Sequence, residues 1–269
     1  MTALKQENAA EDSAAAIENI TGQFQAMRLP RLADAGLYLG APLPVLENLR
    51  QALGEQRSED ERKRFASRMR HAGIARERSP DTFQWGPDTY PLADPGAVER
   101  ALGAEFVGQR KNLVVAGPPG AGKSLLAVIV ACKAIRAGFS VRYRTAHGIA
   151  TELREAKAGN GLSGCIRRLQ SCDLLVIEDV AFATFDARTA ESFFSVVDGR
   201  YGRKSTAVTS NGSISEWAGN FPDKRMSSAL LGRFYEDAIL VNMNGAEDMR
   251  LKKAKGILEC AGSEGAGEA

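Results

Sequence analysis

The sequence contains few of the residues that build disulfide frameworks or zinc sites. Its 269 residues include 4 cysteines and 2 histidines. The cysteines, Cys132, Cys165, Cys172 and Cys260, form no C-x-x-C pair. A zinc site or a disulfide framework is recognised by closely spaced ligands of this kind. We therefore expect reduced thiols, as is usual for cytoplasmic proteins.

Long apolar runs and a secretory leader are also lacking. No stretch approaches the ~18 apolar residues that predict a membrane span. The N-terminal stretch MTALKQENAAEDSAAAIENI is polar and acidic, and it has no hydrophobic core of the signal-peptide type. These absences predict a cytoplasmic protein with no membrane partner. The net charge is only +2, so total charge neither favours nor excludes nucleic acid, and the local distribution of charge has to be read instead.

The pattern of the chain predicts an α/β protein with a small helical domain before it. Short apolar strands alternate with helical runs after residue 111, which predicts a parallel sheet of five strands covered by helices. The strands are expected at 112–116, 140–145, 173–178, 205–210 and 238–243. The predicted parts are a disordered tail over 1–16, a helical domain over 17–79, a proline-containing linker over 80–110, an α/β domain over 111–258 and a disordered tail over 259–269.

One motif predicts nucleotide binding. In NLVVAGPPGAGKSLLAVIVA, Gly117, Gly122, Lys123 and Ser124 match G-x-x-x-x-G-K-[ST], and the motif follows an apolar strand and opens a helix, as its mechanism requires. Glycines let backbone N–H groups surround phosphate oxygens at the positive end of a helix. Lys123 would reach the β- and γ-phosphates, and Ser124 would offer its hydroxyl to Mg²⁺. We therefore expect a P-loop NTPase that binds ATP with Mg²⁺. The expected nucleotide contacts are Gly117, Pro118, Pro119, Gly120, Ala121, Gly122, Lys123, Ser124 and Leu125.

Two acids end the third predicted strand, in LLVIEDVAF. An acid at this place holds the Mg²⁺ that Ser124 binds, and a second acid activates or orients the attacking water. Glu178 and Asp179 are therefore candidate catalytic and metal-binding residues, with Ser124. Their order leaves two assignments open, because adjacent residues on a strand face opposite sides and either acid can be the metal partner.

Two residues downstream extend this catalytic set. Asn211 follows the strand STAVTS, where its amide can bond the γ-phosphate or the water. The alternative for Asn211 is an ordinary turn residue. Arg233 precedes the last strand in SALLGRFYEDAILV, as a surface arginine or as an arginine finger given to a neighbouring subunit's nucleotide.

Positive charge is concentrated in ERKRFASRMRHAGIARER, residues 61–78. One interpretation is an element that contacts DNA phosphates without reading sequence. The other is a solvated helix whose aliphatic stems cover the core. The predicted DNA contacts are Arg62, Lys63, Arg64, Arg68 and Arg70, with Lys224 and Arg225 from the loop after Asn211.

The order and spacing of these motifs resemble the IstB-like AAA+ ATPases, helper proteins encoded beside the transposase in one family of bacterial insertion sequences. The resemblance is carried by LVVAGPPGAGKSLLA, DLLVIEDVAF, STAVTSN, SEWAGNF and LLGRF, with MRLPRLADAG and RMRHAGIARERSPDTFQW in the N-terminal part. It covers about residues 20–255. Helicase loaders of the DnaC type are related and share the ATPase motifs.

This resemblance implies a specific arrangement and activity. The strand before Asn211 would lie between the phosphate-loop strand and the acidic-pair strand, with Asn211 as sensor and Arg233 as finger. The protein would form ATP-dependent oligomers on duplex DNA and deliver that DNA to a transposase. The family's Asp-Glu pair is Glu178-Asp179 here, so we expect slow, DNA-stimulated hydrolysis. The N-terminal domain is also shorter than the family's between its RLP and basic segments. The alternatives are a helicase loader and a nucleotide-gated DNA scaffold with little hydrolysis.

Overall fold

The computed structural model describes residues 2–83, 85–211, 219, 221–246 and 248, so the predicted tail over 259–269 lies outside the described residues. The chain forms two compact units, Met1–Ser67 and Arg68–Ala269. The sequence predicted the domain boundary after residue 79, which is wrong because the observed boundary follows Ser67. The physical reason lies in the segment that follows Ser67. Met69 and Ala72 are buried, and Arg144 donates to the Ala72 carbonyl, so these residues pack with the second unit.

The first unit is helical. Helix α1 spans Thr2–Ala26, α2 spans Pro30–Ala35, and α3 spans Leu43–Ala72 and continues into the second unit. The small core comprises Ala16, Ile20, Phe24, Tyr38 and Leu46. The predicted disordered tail over 1–16 is wrong over its described part, since α1 begins at Thr2. Alanine, glutamate and lysine in this stretch have high helix propensity. The i, i+4 spacing of Ala16, Ile20 and Phe24 gives the helix one buried edge.

Residues 80–110 are part of the second unit, where the sequence predicted a linker. They contain α4 (Pro95–Gly103) and short 3-10 turns at Pro80–Thr82 and Glu105–Val107. Pro95 stands at the first position of α4, where a proline without an N–H is tolerated, and the Asp94 carboxylate caps the helix. Tyr90 and Phe106 are buried, and the Tyr90 hydroxyl donates to the Ala121 carbonyl at 3.0 Å. This segment therefore supports the phosphate loop directly.

The second unit is built around a parallel sheet of five strands. These are β1 (Leu113–Ala116), β2 (Val141–Thr145), β3 (Leu174–Glu178), β4 (Ser205–Ser210) and β5 (Ile239–Asn242), in the order β2-β3-β4-β1-β5. All neighbouring pairs are parallel. The predicted fold is confirmed, and β4 lies between β1 and β3 as the resemblance implied. The carboxyl ends of these three central strands therefore meet at one edge of the sheet.

Helices follow the strands and cover the sheet. They are α5 (Lys123–Arg136), α6 (Ala146–Ala158), α7 (Leu162–Ser171), α8 (Ala187–Arg200) and α9 (Lys224–Tyr235), with a 3-10 turn at Val180–Phe182. The apolar residues of β3, Leu174–Ile177, are buried, as expected for a central parallel strand enclosed by helices. In the described parts of the chain, no helix combines the length and the apolar character needed to cross a bilayer.

Candidate functional site

The phosphate loop connects β1 to α5 in a conformation that requires glycine. Gly122 has φ 88° and ψ 11°, in the left-handed region that a residue with a Cβ rarely adopts. At Gly117 the restriction is space, because a Cβ there would lie 2.7 Å from Met243 Cβ. The loop consequently turns tightly over the end of β1.

Lys123 is the first residue of α5 and is almost fully buried, with 5% exposure. Its Nζ donates to the Pro118 carbonyl at 2.7 Å, so the ammonium is held across the loop. The positive end of the α5 dipole lies at the same place and favours anions. The carboxylate of Asp248, itself an anion, packs directly against Gly120 of the loop. The arrangement fits the phosphates of a nucleotide.

Glu178 is the last residue of β3, and Tyr143 of β2 is its neighbour across the sheet. Tyr143 is paired with Val176 in the β2–β3 register, so Glu178 lies two residues further along the same face. Burial, followed by the negative charge and hydrogen bonding of Glu178, raises the pKa of Tyr143 far above its usual value. The hydroxyl beside Glu178 therefore keeps its proton.

One oxygen of Glu178 remains without a partner. Glu178 Oε1 is buried and accepts no hydrogen bond from any residue that the structure describes. Leaving a carboxylate oxygen buried and unpaired is costly. A bound cation removes that cost, and an acid at the end of this strand is where P-loop NTPases hold Mg²⁺. Glu178 therefore fits a metal-binding role.

Asp179 contacts a different strand, β4, because its backbone adopts a left-handed conformation. Its φ of 55° and ψ of 47° lie in the left-handed region, which is unusual for a residue other than glycine. The Asp179 N–H donates to Thr209 Oγ1 at 3.1 Å, and Asn211 Nδ2 donates to Asp179 Oδ1 at 3.2 Å. Asp179 is thus held by β4 and its following residue, whereas Glu178 is next to β2. Asp179 and Asn211, which the sequence analysis gave as separate candidates, are therefore in direct contact.

The chemistry of the site also limits which metal it can take. Among the described residues, no three His, Cys, Asp or Glu side chains are grouped as a metal cage. Mg²⁺ does not need such a cage, because it is usually held by one or two carboxylates together with substrate phosphates and waters. A hydroxyl from Ser124 and a carboxylate from Glu178 or Asp179 suit that ion.

Arg233, the predicted finger, is engaged within its own chain. Its Nε and Nη2 donate to Asp198 Oδ1 at 2.9 Å and 2.6 Å, and its Cζ lies 4.7 Å from the centroid of the Phe194 ring. The guanidinium is thus fixed between α8 and α9. Its role toward a neighbouring subunit stays a prediction.

The predicted DNA contacts are exposed, but their environments differ. Arg62 and Lys63 both pair with Glu59, an acid just before the basic segment whose effect the sequence interpretation left out. Arg64 and Arg70 are exposed on α3, and Arg68 Nη1 donates to the Ile135 carbonyl at 3.4 Å. Lys224 and Arg225 are exposed in the first turn of α9, which Asp223 caps. DNA binding by these seven residues stays a prediction.

Tyr143 and Thr209 are site residues that the sequence interpretation missed as such. Tyr143 lies between two arginines of β2, and Thr209 is the fifth residue of β4. Both reach the acids across strand boundaries. In the sequence, each is only a polar residue near the carboxyl end of a strand. The strand order β2-β3-β4 is needed to show that both lie next to the acids of β3.

Comparisons with known proteins agree with this geometry. A family model described as "IstB-like ATP binding protein" matches residues 41–256. The putative ATP-binding protein of insertion sequence IS21 from Pseudomonas aeruginosa is 27% identical over 209 residues, covering 78% of this chain and 78% of that protein. The corresponding protein of IS5376 from Geobacillus stearothermophilus is 29% identical over 175 residues, covering 65% of this chain and 68% of that protein.

The fold is also found among solved structures. The AMPPCP-bound DnaA from Aquifex aeolicus has a TM-score of 0.54 and 25% identity, covering 67% of this chain and 54% of that chain. Domain III of the Thermotoga maritima replication initiation protein DnaA has a TM-score of 0.53 and 20% identity, covering 68% of this chain and 74% of that chain. Since the family match extends over most of the sequence and includes the whole phosphate loop, this chain belongs to the IstB-like ATP-binding proteins and is an ATP-binding P-loop protein with an AAA+ fold.

Proposed function

We propose that this chain is an ATPase that helps a transposase. It would bind ATP with Mg²⁺, assemble into oligomers on duplex DNA, and hand that DNA to the transposase of its insertion sequence. The observation that carries the proposal is family membership over residues 41–256, with similar proteins that belong to insertion sequences. The two differently oriented acids at the carboxyl end of β3, at the edge of the sheet where β1 leads into the phosphate loop, support the chemistry of hydrolysis.

In this proposal Glu178 is the metal partner. Its buried, unpartnered Oε1 supports the assignment, as does its neighbour Tyr143, which can donate to the carboxylate but cannot compete as a base. Ser124 completes the protein's share of the Mg²⁺ ligands, and Lys123 binds the β- and γ-phosphates. The metal ion supplies charge neutralisation on those phosphates.

Asp179 then orients the attacking water and accepts its proton. Its contact with Asn211 Nδ2 fixes the carboxylate and supports this role. Aspartate is one methylene shorter than the glutamate usual at this position, so a longer distance to the water and slow turnover are expected. Slow hydrolysis suits a timing role, in which ATP binding builds the complex on DNA and hydrolysis releases it.

Arg233 would complete the site of a neighbouring subunit. To do so its guanidinium has to exchange Asp198 for the γ-phosphate, both of which accept charge-assisted hydrogen bonds. Hydrolysis would then depend on oligomerisation, because a lone chain cannot supply its own finger. The exposed cations of α3 and the first turn of α9 would hold DNA phosphates without reading bases.

Phosphate release tests the proposal. Wild type, Asp179→Asn and the matched exposed control Asp88→Asn are assayed alone, with random-sequence duplex and with single-stranded DNA. We expect slow turnover that duplex DNA stimulates more than single strands do, retained by Asp88→Asn and lost in Asp179→Asn. No turnover by wild type on DNA would replace the ATPase with a nucleotide-gated scaffold. A clear preference for single strands would favour a helicase loader.

A further inference from the structure

A cavity lies at the opposite end of the sheet from the nucleotide site. Its volume is about 420 Å³, within the range of ligand-sized pockets. It is lined by the last turns of α3, by the segment that leads into β2 and by the end of α7. Strand β2 has five residues, so this cavity is separated from the carboxyl ends of the strands by about 15 Å. It is therefore not part of the ATP site.

The cavity is cationic. Arg68 and Arg142 contribute the charged side chains of its lining, beside the imidazole of His71. The hydroxyls of Ser140 and Ser171 also line it, but they donate to Asp173 and to the Arg168 carbonyl. None of the described residues in this lining has a carboxylate. Asp173 touches the rim through Ser140, but Lys204 Nζ lies 2.6 Å from its carboxylate and neutralises it. The local charge therefore favours an anion.

The two guanidiniums are positioned by the ends of helices. Arg68 Nη1 donates to the Ile135 carbonyl at 3.4 Å, and Arg142 Nε donates to the Arg168 carbonyl at 3.0 Å. A guanidinium has five N–H donors. One carbonyl therefore orients each guanidinium and leaves most of its N–H groups able to bind an anion. The carbonyls at helix ends would repel an anion. The positive charges of the two arginines outweigh the negative potential of these carbonyls. Binding of an anion here therefore depends on the two arginines.

A second cavity in this unit, of about 330 Å³, has mixed charge. It lies at the start of β5 and is lined by Arg100 and Lys111 but also by Glu105 and Asp237. The two basic and two acidic side chains cancel there. Of these two cavities, the one at the start of β2 is lined by two arginines and by no described acid.

We propose that the cavity lined by Arg68, His71 and Arg142 binds a backbone phosphate of duplex DNA. The inference rests on the proposed function and adds a contact residue, Arg142, that lies outside the basic helix. A phosphate diester suits the site because two guanidiniums can hold its non-bridging oxygens. Arg68 and His71 are exposed. A long polymer such as DNA can therefore reach this site, whereas it could not enter an enclosed pocket.

The test is the salt dependence of binding to random-sequence duplex DNA in the presence of ATP. Each lost phosphate contact lowers the slope of log K against log salt by about 0.9. Because both guanidiniums would hold the same phosphate, we expect Arg68→Gln with Arg142→Gln to lower the slope by that amount, Arg142→Gln alone to lower it by a large part of that amount, and Arg142→Lys to keep most of it. The exposed arginine of α8 gives the matched control, Arg188→Gln, which should leave the slope unchanged.

Further measurements separate this inference from its alternatives. ATP affinity and thermal stability should be unchanged in Arg142→Gln, since the cavity lies far from the nucleotide. Inorganic phosphate that binds at Arg142 in wild type, at constant ionic strength, without weakening the binding of duplex DNA would assign the cavity to free phosphate and overturn the inference. An unchanged slope in Arg142→Gln would overturn it too, while wild-type binding to duplex DNA would leave the proposed function standing. Failure of wild type to bind duplex DNA would overturn both.

Discussion

At the scale of single residues, the backbone of Asp179 determines how the two neighbouring acids are used. On a regular strand they would point to opposite faces, and either could be the metal partner. The left-handed conformation of Asp179 turns its carboxylate to Asn211, and Glu178 stays beside Tyr143. The question that the sequence left open is therefore answerable by measuring metal dependence.

We expect Glu178→Gln and Asp179→Asn to fail in different ways. Glu178→Gln removes the charge that holds the metal, so the gain in nucleotide affinity on adding Mg²⁺ should fall by about tenfold or more, as for loss of a hydrogen bond to a charged group. Asp179→Asn should keep that gain and lose hydrolysis. Calorimetric titration of ADP with Mg²⁺ and with a chelator measures the first effect. The opposite pattern would reverse the two assignments.

Tyr143→Phe tests whether the tyrosine positions Glu178. The substitution removes only the hydroxyl next to the carboxylate. We expect the Mg²⁺ concentration for half-maximal nucleotide binding to rise several-fold, as for one lost hydrogen bond of about 1 kcal/mol, with unchanged affinity in chelator. Tyr38→Phe removes a hydroxyl that bonds Thr21 in the first unit and should leave the Mg²⁺ dependence as in wild type. Equal Mg²⁺ dependence in Tyr143→Phe would mean that the tyrosine only fills space.

At the scale of elements, Arg200 joins the end of α8 to two neighbouring segments. It is fully buried, and its guanidinium donates to the carbonyls of Leu169 and Cys172 at 2.7 Å and 2.9 Å and to Thr206 Oγ1 at 3.1 Å. Burial lowers the pKa of Arg200, and these acceptors hold the charge in place. The end of α7 and the start of β4 therefore depend on this residue.

Replacing Arg200 should destabilise the second unit strongly. Arg200→Met leaves the carbonyls without donors, and we expect a loss of about 3–5 kcal/mol in the free energy of unfolding, as when one partner of a buried charged network is removed. The exposed Arg203→Met, three residues later, should cost less than about 0.5 kcal/mol. Urea unfolding followed by circular dichroism compares the two. A loss for Arg200→Met as small as that of Arg203→Met would show that water replaces the guanidinium.

Asp173 links β2 and β4 to the start of β3 and gives a pH-dependent contribution. Burial would raise the pKa of Asp173, but hydrogen bonds from Lys204 and Ser140 outweigh it and lower the pKa to about 2. The unfolded value is about 3.9, so the stabilisation is present above that pH and is lost as the pH falls toward 2. With the carboxylate 32% exposed, we expect Asp173→Asn to cost on the order of 1 kcal/mol at pH 7 after solvent screening. The difference from wild type should shrink with acidification, and a constant difference in unfolding free energy between pH 7 and pH 3 would contradict the assignment.

The elements themselves were largely predictable from the sequence. The strands were expected within one residue of their observed ends, because apolar runs bounded by polar residues have few other solutions in an α/β pattern. The prolines of segment 80–110 predict a linker, but Pro95 begins a helix, so this prediction is wrong. The tail over 1–16 was misjudged because its composition favours helix as well as disorder.

At the scale of the whole molecule, the candidate site could be predicted only in part. The phosphate loop and the positions of Glu178, Asp179 and Asn211 follow from motif and spacing. The contacts Tyr143–Glu178 and Thr209–Asp179 cross between strands that are distant in sequence, so they require the order β2-β3-β4. The cavity at Arg142 needs the same knowledge, because α3, β2 and α7 meet there only in the folded chain.

Sedimentation velocity of the protein with duplex DNA tests the central claim most directly. Wild type is compared with ATP, with ADP and without nucleotide, at one salt concentration. The proposed function predicts a large protein–DNA complex with ATP alone, which dissolves as the ATP is consumed and persists in Asp179→Asn. A complex of the same size with ADP or without nucleotide, or no complex with ATP, would contradict ATP-dependent assembly on DNA.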